Sequence, residues 1–153
     1  MGLLMDELKA ALRIVLANKF LMYFKAQSYH WNVEGMFFSQ YHDFFGKIYE
    51  EVYGSIDTTA EELRALDAYA PISINEMYSY ATIDEDAMKP SNITDMVQNL
   101  FIDNAKVIES LNSLFEIADK QNEQGLADFA AGRLDAHKKH AWMLSSTLKK
   151  TGN

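Results

Sequence analysis

The sequence predicts an all-α fold: four long helices in a bundle, with a long crossover between the second and the third. Three observations predict it. The 153 residues include only two prolines and seven glycines, so the segments between helix breakers are long. Apolar residues recur at helical spacing in four of these segments. The stretch 67–92 is too long for a simple hairpin connection. We expect one domain over residues 1–153.

The first half of the chain holds two predicted helices. The first runs from Leu3 to about His30, with apolar residues three or four positions apart. Polar residues and Gly35 then mark a turn. The second is predicted as one uninterrupted helix from Met36 to about Leu66.

The crossover is predicted to contain a short extra helix. Pro71 and Pro90 lie near its two ends. Ser73 and Glu76 have the spacing of a capping box, which favours a helix from about Ile74 to Tyr80.

The second half of the chain holds the remaining two long helices. The third is predicted from Thr94 to about Lys120, with Asp95 supporting its start. Gly125 marks a break, and the fourth runs from Leu126 to about Lys150. Four helices with one long crossover after the second have the connectivity of ferritin-like bundles.

Composition excludes several classes of protein. The chain has no cysteine, which rules out disulfides, thiolate metal sites and thiol catalysis. It has no apolar run of membrane-spanning length, and Asp6 and Glu7 near its start are unlike a signal peptide. We therefore expect a cytoplasmic protein. The net charge of −8 attracts cations and repels nucleic acid.

Four side chains suggest a metal site that one chain cannot complete. His30 and His42 flank the turn, whereas Asp57 and Glu61 share a helix face one turn apart. Imidazole and carboxylate together suit iron or zinc. Fifteen residues separate His42 from Asp57, which is roughly 22 Å along one helix. Metal bonds are only about 2.0–2.2 Å long. The two pairs can therefore share a metal only across a two-fold interface between subunits.

Ordinary structural roles compete with this interpretation. A histidine in a helix is more often a surface or hydrogen-bonded residue than a ligand. A carboxylate pair at this spacing is more often a solvated face, and Arg64, three residues after Glu61, offers an ion pair.

The motifs resemble those of the Dps family, the small ferritins also called DNA-binding proteins from starved cells. The similarity covers essentially the whole chain. It rests on Tyr29–Gly35, Phe38, His42, Tyr49–Glu51, Asp57, Ala60–Glu61 and Leu63–Leu66, and on Arg133, Asp135–His137 and His140–Leu144.

The resemblance implies a specific activity and assembly. Family members are hollow dodecamers with ferroxidase centres at their two-fold interfaces. Carried over, His30 and His42 of one subunit and Asp57 and Glu61 of its partner would bind iron. Fe(II) would be oxidised there, typically with hydrogen peroxide, and Fe(III) mineral stored inside. Trp31 resembles a family tryptophan that donates electrons; a core aromatic at the interface is the alternative.

Gly46 departs from the family pattern, which usually has an aspartate four residues after the second histidine. Loss of such a supporting carboxylate commonly costs 10–100-fold in affinity or activity. We expect a surviving centre with altered or weaker binding of the second iron. The alternative function is a non-catalytic cage or metal-binding shell. The sequence leaves open whether peroxide or oxygen is the oxidant and whether zinc or manganese occupies the same ligands.

Two further pairs of residues are candidates for metal contacts. Glu123 and Asp128 match the place where the family lines its three-fold pores with carboxylates, although acidic residues also favour a helix N-terminus. His137 and His140 could form a metal pair, but we expect surface histidines there. Since only Lys149 and Lys150 make the tail basic, direct DNA binding is not expected.

Overall fold

The computed structural model describes residues 2–149, and within that range the chain is helical with no strand. Six helices follow in order: α1 Gly2–Asn32, α2 Phe38–Tyr53, α3 Ile56–Ala65, α4 Ile74–Ser79, α5 Ile93–Lys120 and α6 Gln124–Leu148. The predicted all-α fold with a short helix in the crossover is confirmed. Lys150, where the fourth helix was predicted to end, and the tail Thr151–Asn153 lie outside the described residues.

The long helices form one bundle around a shared apolar core. Helix α1 packs against α2, α3 and α5, and α5 packs against α6. The core side chains come from every long helix and include Leu8, Leu12, Val15, Met22, Phe45, Ile48, Val52, Leu63, Leu100, Leu111 and Leu144. Among residues 2–149, no helix is both long enough and apolar enough to cross a membrane.

The second predicted helix is interrupted, which corrects the expectation of one rod from Met36 to Leu66. Helix α2 ends at Tyr53 and α3 begins at Ile56. At the break, the Ser55 amide donates to the Val52 carbonyl at 3.1 Å, a tighter turn than an α-helix makes. The Ser55 hydroxyl donates to the same carbonyl at 2.8 Å. Local hydrogen bonding by serine thus competes with the regular helix.

The crossover is fixed against α1 by side-chain hydrogen bonds. Half of the predicted capping box is present: the Ser73 hydroxyl accepts from the Glu76 amide at 3.1 Å, but the Glu76 carboxylate accepts from the Ile72 amide at 3.5 Å. Asn18 on α1 donates to the Thr82 hydroxyl at 2.9 Å and accepts from the Thr82 amide at 2.8 Å. Since Asn18 is fully buried, this pair anchors the crossover to the core.

The turn between α5 and α6 lies a few residues before the predicted break. Gly125 belongs to the first turn of α6. The chain reverses at Asn122, whose φ of 59° lies in the left-handed region. Asparagine adopts that conformation more readily than most residues, which explains why no glycine is needed there.

Candidate metal centre

The structure brings His30 and His42 together at one end of the bundle. His30 lies in the last turn of α1 and His42 in the first turns of α2. Their rings stack with centroids 3.8 Å apart and planes 16° from parallel. The short connection between α1 and α2 therefore brings the two rings together, as the sequence predicts.

Hydrogen bonds fix the tautomer of both rings. Nδ1 of His30 lies 2.6 Å from the carbonyl oxygen of His42, and Nδ1 of His42 lies 2.6 Å from the carbonyl oxygen of His30. A carbonyl oxygen can only accept, so each Nδ1 must carry the hydrogen. Each Nε2 is then left with its lone pair. This is the arrangement in which a histidine is prepared as a metal ligand.

Neighbouring groups hold the two rings in position. Tyr49 stacks on His30 with centroids 5.3 Å apart, and Phe38 stacks on His42 at 5.0 Å. Gly46 lies directly against His30, where an added Cβ would be 3.0 Å from Nδ1 and 3.1 Å from Cε1. The missing side chain at position 46 thus makes room for the observed His30 ring. The sequence indicated a lost carboxylate there, but not this contact.

Asp57 and Glu61 lie on α3 and are both exposed in the single chain. They are one helical turn apart, as predicted. Arg64 does not form the ion pair with Glu61 that its spacing suggested. Its guanidinium donates to the Ala68 carbonyl at 2.9 Å and lies 4.7 Å from the centroid of the Tyr69 ring.

The histidine pair and the carboxylate pair do not meet within one chain. In the part of the chain that the structure describes, no group of three or more His, Cys, Asp or Glu side chains is placed to hold a metal ion. One chain therefore offers two separate half-sites, one of imidazole nitrogens and one of carboxylate oxygens.

Trp31 is exposed and belongs to a surface patch of aromatic residues. Its ring packs edge to face against Phe24, with ring centroids 6.4 Å apart. Tyr23 lies between Phe24 and Tyr53, with centroid distances of 6.5 Å and 4.9 Å. Trp31, Phe24 and Tyr53 are each about half exposed, at 58%, 48% and 59%. Trp31 is therefore not a core residue of the single chain. Exposed apolar surface of this kind marks interaction sites.

Glu123 and Asp128 occupy the beginning of α6. Glu123 is the residue before the helix and makes no side-chain capping hydrogen bond. Asp128 is exposed, and the first turn of α6 contains no acidic residue. Since a helix dipole acts mainly within its first turn, it gives Asp128 little stabilisation. The structure of one chain does not bring either residue to the histidine pair.

His137 and His140 are buried, which corrects the expectation of surface histidines. Helix α6 turns both toward the interior of the bundle, where they are 0% and 7% exposed. Nδ1 of His137 donates to the Asn104 side-chain oxygen at 2.8 Å, and Nε2 of His140 donates to Glu51 at 2.7 Å. Both residues are hydrogen-bonded core histidines, each with its partner on another helix.

Arg133 occupies the centre of this buried network. Its two terminal nitrogens donate to the two carboxylate oxygens of Glu51 at 2.6 and 2.9 Å, and one also donates to Nε2 of His137 at 3.0 Å. A bidentate pair of this type is strong and directional. The positive charge that faces Glu51 is therefore an arginine of the chain itself. Sequence reasoning found Arg133 and Glu51 only as family residues, because pairs far apart in sequence leave no periodic signal.

The network shifts the pKa values of its members. Burial alone would raise the pKa of Glu51, but hydrogen bonds from His140 and Arg133 outweigh it and hold that pKa well below its usual range. Burial and then the charge of Arg133 hold the pKa of His137 well below its usual value, so this ring is neutral.

Lys19 forms a second buried polar cluster at the break between α2 and α3. Its Nζ lies 2.6 Å from the Thr59 hydroxyl and 3.3 Å from the Ser55 carbonyl. Burial, followed by the charge of Arg133, lowers the pKa of Lys19 to about 6. Lys19 was not singled out in the sequence.

Comparison with known proteins agrees with the helical bundle. The Ferritin-like domain family matches residues 9–152. An uncharacterized low temperature-induced protein from Nostoc sp. is 34% identical over 88% of this chain and 75% of its own length. Dps from Thermosynechococcus elongatus has a TM-score of 0.93 and 26% identity, over 97% of this chain and 94% of that one. Dps from Vibrio cholerae, described as one of the ferritin-like diiron-carboxylate proteins, has a TM-score of 0.90 and 26% identity, over 95% and 91%.

Proposed function

Because this chain belongs to the Dps family of ferritin-like proteins, we propose that it oxidises Fe(II) with hydrogen peroxide and stores the Fe(III) product. Iron is the substrate and the cargo. The reaction takes place at centres shared between two subunits, and the mineral collects inside a hollow dodecamer. Removing Fe(II) and peroxide together prevents the formation of hydroxyl radical.

The observation that carries this proposal is the pair of histidines with free Nε2 atoms. Backbone carbonyls hold both Nδ1 hydrogens, so the Nε2 lone pair of each ring is left for a metal ion. Among residues 2–149, no third His, Cys, Asp or Glu side chain joins the pair, whereas anionic oxygen ligands are what stabilise Fe(III). Asp57 and Glu61 of the partner subunit supply them if two copies of α2–α3 pair antiparallel about a two-fold axis.

Each ligand type has a separate role. The neutral imidazoles of His30 and His42 bind Fe(II) without cancelling its charge. The carboxylates of Asp57 and Glu61 are hard ligands that stabilise Fe(III) more than Fe(II), and they therefore lower the free energy of electron loss. Imidazoles bind metal only when deprotonated, so iron uptake weakens at acidic pH.

Surface features support the assembly. The aromatic patch of Phe24, Trp31 and Tyr53 adjoins the histidine end of the bundle and has no cover in the single chain. A two-fold contact between α2 helices would bury it. Glu123 and Asp128, repeated around a three-fold axis, would form an acidic pore that draws Fe(II) inward.

Stopped-flow absorbance of Fe(III) formation, with Fe(II) and peroxide mixed under anaerobic conditions, tests the activity. Wild-type protein is expected to oxidise Fe(II) faster than buffer. His30→Ala and Asp57→Ala are each expected to reduce the rate toward the buffer value. Asp43→Ala is the matched control, because Asp43 is an exposed carboxylate on α2 paired only with Lys47 at 3.0 Å. Wild-type rates in both ligand variants would refute the assignment.

The alternative function is a shell that binds metal without oxidising it, and Gly46 is the residue that favours it. Such a protein would still assemble and bind Zn(II) at the same ligands. In the stopped-flow assay it would behave like buffer while retaining bound iron. Assembly with metal binding and no acceleration would therefore support the alternative.

A further inference from the structure

The carboxylate half-site of Asp57 and Glu61 is carried by a short helix. Helix α3 has ten residues, and the break at Ser55 separates it from α2. A helix of this length does not hold its own position in water, so it depends on its contacts with the rest of the bundle. Two of its ten residues are buried, Thr59 and Leu63. The placement of the two carboxylates therefore depends on how these buried side chains are held.

Thr59 lies on the face of α3 opposite the two exposed carboxylates. Successive residues are rotated by about 100° around a helix axis, so Asp57 and Glu61 project about 40° apart. Thr59 projects about 180° from the midpoint between them. The contact that holds Thr59 consequently sets the rotation of α3 about its axis. It thereby sets the direction in which Asp57 and Glu61 project.

Lys19 of α1 holds Thr59 through a closed set of hydrogen bonds. Nζ donates to the Thr59 hydroxyl at 2.6 Å and to the Ser55 carbonyl at 3.3 Å. The Thr59 hydroxyl in turn donates to the same carbonyl at 2.7 Å. Lys19 and Thr59 are both 0% exposed, and the Phe129 ring of α6 covers Nζ with its centroid 5.2 Å away. Because hydrogen bonds are directional, this shielded set fixes an angle that the apolar contact of Leu63 leaves free.

Lys19 makes these bonds without drawing on the negative charge of the carboxylates. Burial, followed by the charge of Arg133, lowers the pKa of Lys19 to about 6. At pH 7 most of the amine is therefore neutral, and its two hydrogens are matched by the oxygen acceptors of Thr59 and Ser55. The two carboxylates on the opposite face of α3 thus keep their charge for an incoming metal ion.

We propose that Lys19, acting through Thr59, is a positioning residue that directs the two carboxylates of α3 toward the histidine pair of the partner subunit. This inference rests on the proposed iron oxidation. A carboxylate that lies about 5–6 Å from the helix axis moves by about 2 Å when the helix rotates by about 20°. Metal ligands must be placed to within about 0.5 Å. A small rotation of α3 is therefore enough to take Asp57 and Glu61 out of the coordination sphere.

Anaerobic titration of the assembled protein with Co(II) tests the inference without any turnover. Bound Co(II) has a visible spectrum that depends on the number and geometry of its ligands. The part of the spectrum that His30→Ala removes is assigned to the shared centre. Thr59→Val keeps the shape of the side chain but removes its hydroxyl. It is expected to change that spectrum and to lower the Co(II) affinity of the centre about 10–100-fold. Thr59→Ser retains the hydroxyl and should retain both the wild-type affinity and the wild-type spectrum.

A double variant shows whether Lys19 acts through Thr59. Lys19→Met removes the donor and is also expected to weaken Co(II) binding about 10–100-fold. If both substitutions break the same contact, the variant that combines Lys19→Met with Thr59→Val binds Co(II) no more weakly than the weaker-binding single variant. Losses that multiply in the double variant would mean that the two residues act separately, and they would overturn the inference.

Leu111→Ala controls for a general loss of stability. Leu111 is a fully buried residue of α5, and the cavity left by its truncation should lower the urea midpoint. The Co(II) affinity should stay at the wild-type value. Equal weakening of Co(II) binding in Leu111→Ala would show that stability alone controls the centre and would overturn the inference, as would wild-type affinity in Thr59→Val.

Two results for the wild type concern the proposed function itself. Wild-type protein that binds Co(II) at the shared centre but does not oxidise Fe(II) would refute the proposed function and leave the positioning role to the Co(II) comparison. A wild-type Co(II) spectrum that does not depend on His30 would overturn both.

Discussion

The paired hydrogen bonds between His30 and His42 are the most informative contacts at the scale of single residues. Each ring donates to the backbone of the other residue, so neither ring can turn without breaking a bond at 2.6 Å. The fold itself fixes the nitrogen that each histidine presents to a metal. Arriving iron therefore does not have to order its nitrogen ligands first.

Gly46→Ala is expected to slow iron oxidation roughly 10–100-fold, the usual cost of disturbing the support of a metal ligand. The new Cβ would lie 3.0 Å from Nδ1 of His30. That ring cannot easily move aside, because it is hydrogen-bonded to His42 and stacked on Tyr49. Stopped-flow absorbance measures the rate.

Gly132→Ala is the matched control for this substitution. Gly132 is also inside a helix, but an added Cβ there meets nothing within 4 Å. It should stabilise the protein by about 1 kcal/mol through helix propensity alone and leave oxidation unchanged. Equal rates for both alanine variants would show that the space at position 46 is unimportant.

The absence of a carboxylate at position 46 also predicts unequal metal binding. We expect calorimetric titration with Zn(II), which undergoes no oxidation, to show one tight ion per centre. A second ion should bind about 10–100-fold more weakly, since its supporting carboxylate is missing. Two ions of equal affinity per centre would contradict this prediction.

Part of the candidate site could be predicted from residue types and spacing. His30 and His42 flank a short turn, so their proximity follows from connectivity, and the structure shows it. The contact between Gly46 and His30 could not be predicted, because it depends on the exact approach of α1 and α2. His137 and His140 were wrongly predicted to be surface residues. Their partners, Asn104 and Glu51, lie 33 and 89 residues away in sequence.

At the scale of elements, two buried polar clusters connect the long helices. Lys19 joins α1 to the break between α2 and α3, and Arg133 joins α6 to α2. The break itself was not predicted, because the apolar periodicity continues through it. It is stabilised by the Ser55 hydroxyl and by the Lys19 side chain, whose effects no helical pattern reveals.

Lys19→Met is expected to flatten the pH dependence of stability. Below pH 10.5 the unfolded chain holds a proton on Lys19, whereas the folded chain does not bind it until about pH 6. Unfolding takes up this proton, so the contribution of Lys19 makes the folded state less stable as pH falls from 10.5 to 6. One proton can contribute at most about 1.4 kcal/mol per pH unit.

Urea unfolding at pH 7 and pH 9, at one fixed protein concentration, measures this slope. Lys139→Met removes an exposed lysine from α6 and serves as the control. It should keep the wild-type slope. A Lys19→Met variant with the same slope as wild type would show that Lys19 is charged in the folded protein.

Glu51→Gln is expected to destabilise the bundle by about 1.5 kcal/mol, the low end for hydrogen bonds to charged groups. The substitution keeps the shape but removes the charge that faces Arg133 and His140. The low end applies because the Glu51 side chain is 40% exposed in the single chain. Glu50→Gln, at the exposed neighbouring position, should change stability by less than about 0.5 kcal/mol. Urea unfolding of both variants provides the comparison.

At the scale of the whole molecule, the half-sites predict complementation between inactive subunits. Subunits carrying His30→Ala and subunits carrying Asp57→Ala are each expected to be inactive alone. After unfolding and refolding in an equal mixture, half of the two-fold pairs are mixed, and each mixed pair has one intact centre of its two. About a quarter of the wild-type activity per subunit should therefore return.

A site built within one chain would give a different result, because every subunit in the mixture would still lack one ligand. No recovery after refolding, with assembly confirmed by light scattering, would exclude the shared centre.

The bundle connectivity was predictable at this scale from the four periodic segments and the long crossover. The sequence predicts that a partner subunit must contribute ligands. It does not predict which surfaces the two subunits bring together, because one sequence does not specify how two copies pack.

The guanidinium of Arg133 beside Glu51 has a consequence for the removal of metal ions from the protein. Arg133 already neutralises the Glu51 carboxylate between α2 and α6, so the helices need no imported ion to stay packed together. Treatment with a strong chelator should leave the circular dichroism spectrum and the melting temperature of the subunits almost unchanged. The proposed iron store could thus be emptied and refilled without unfolding the subunits.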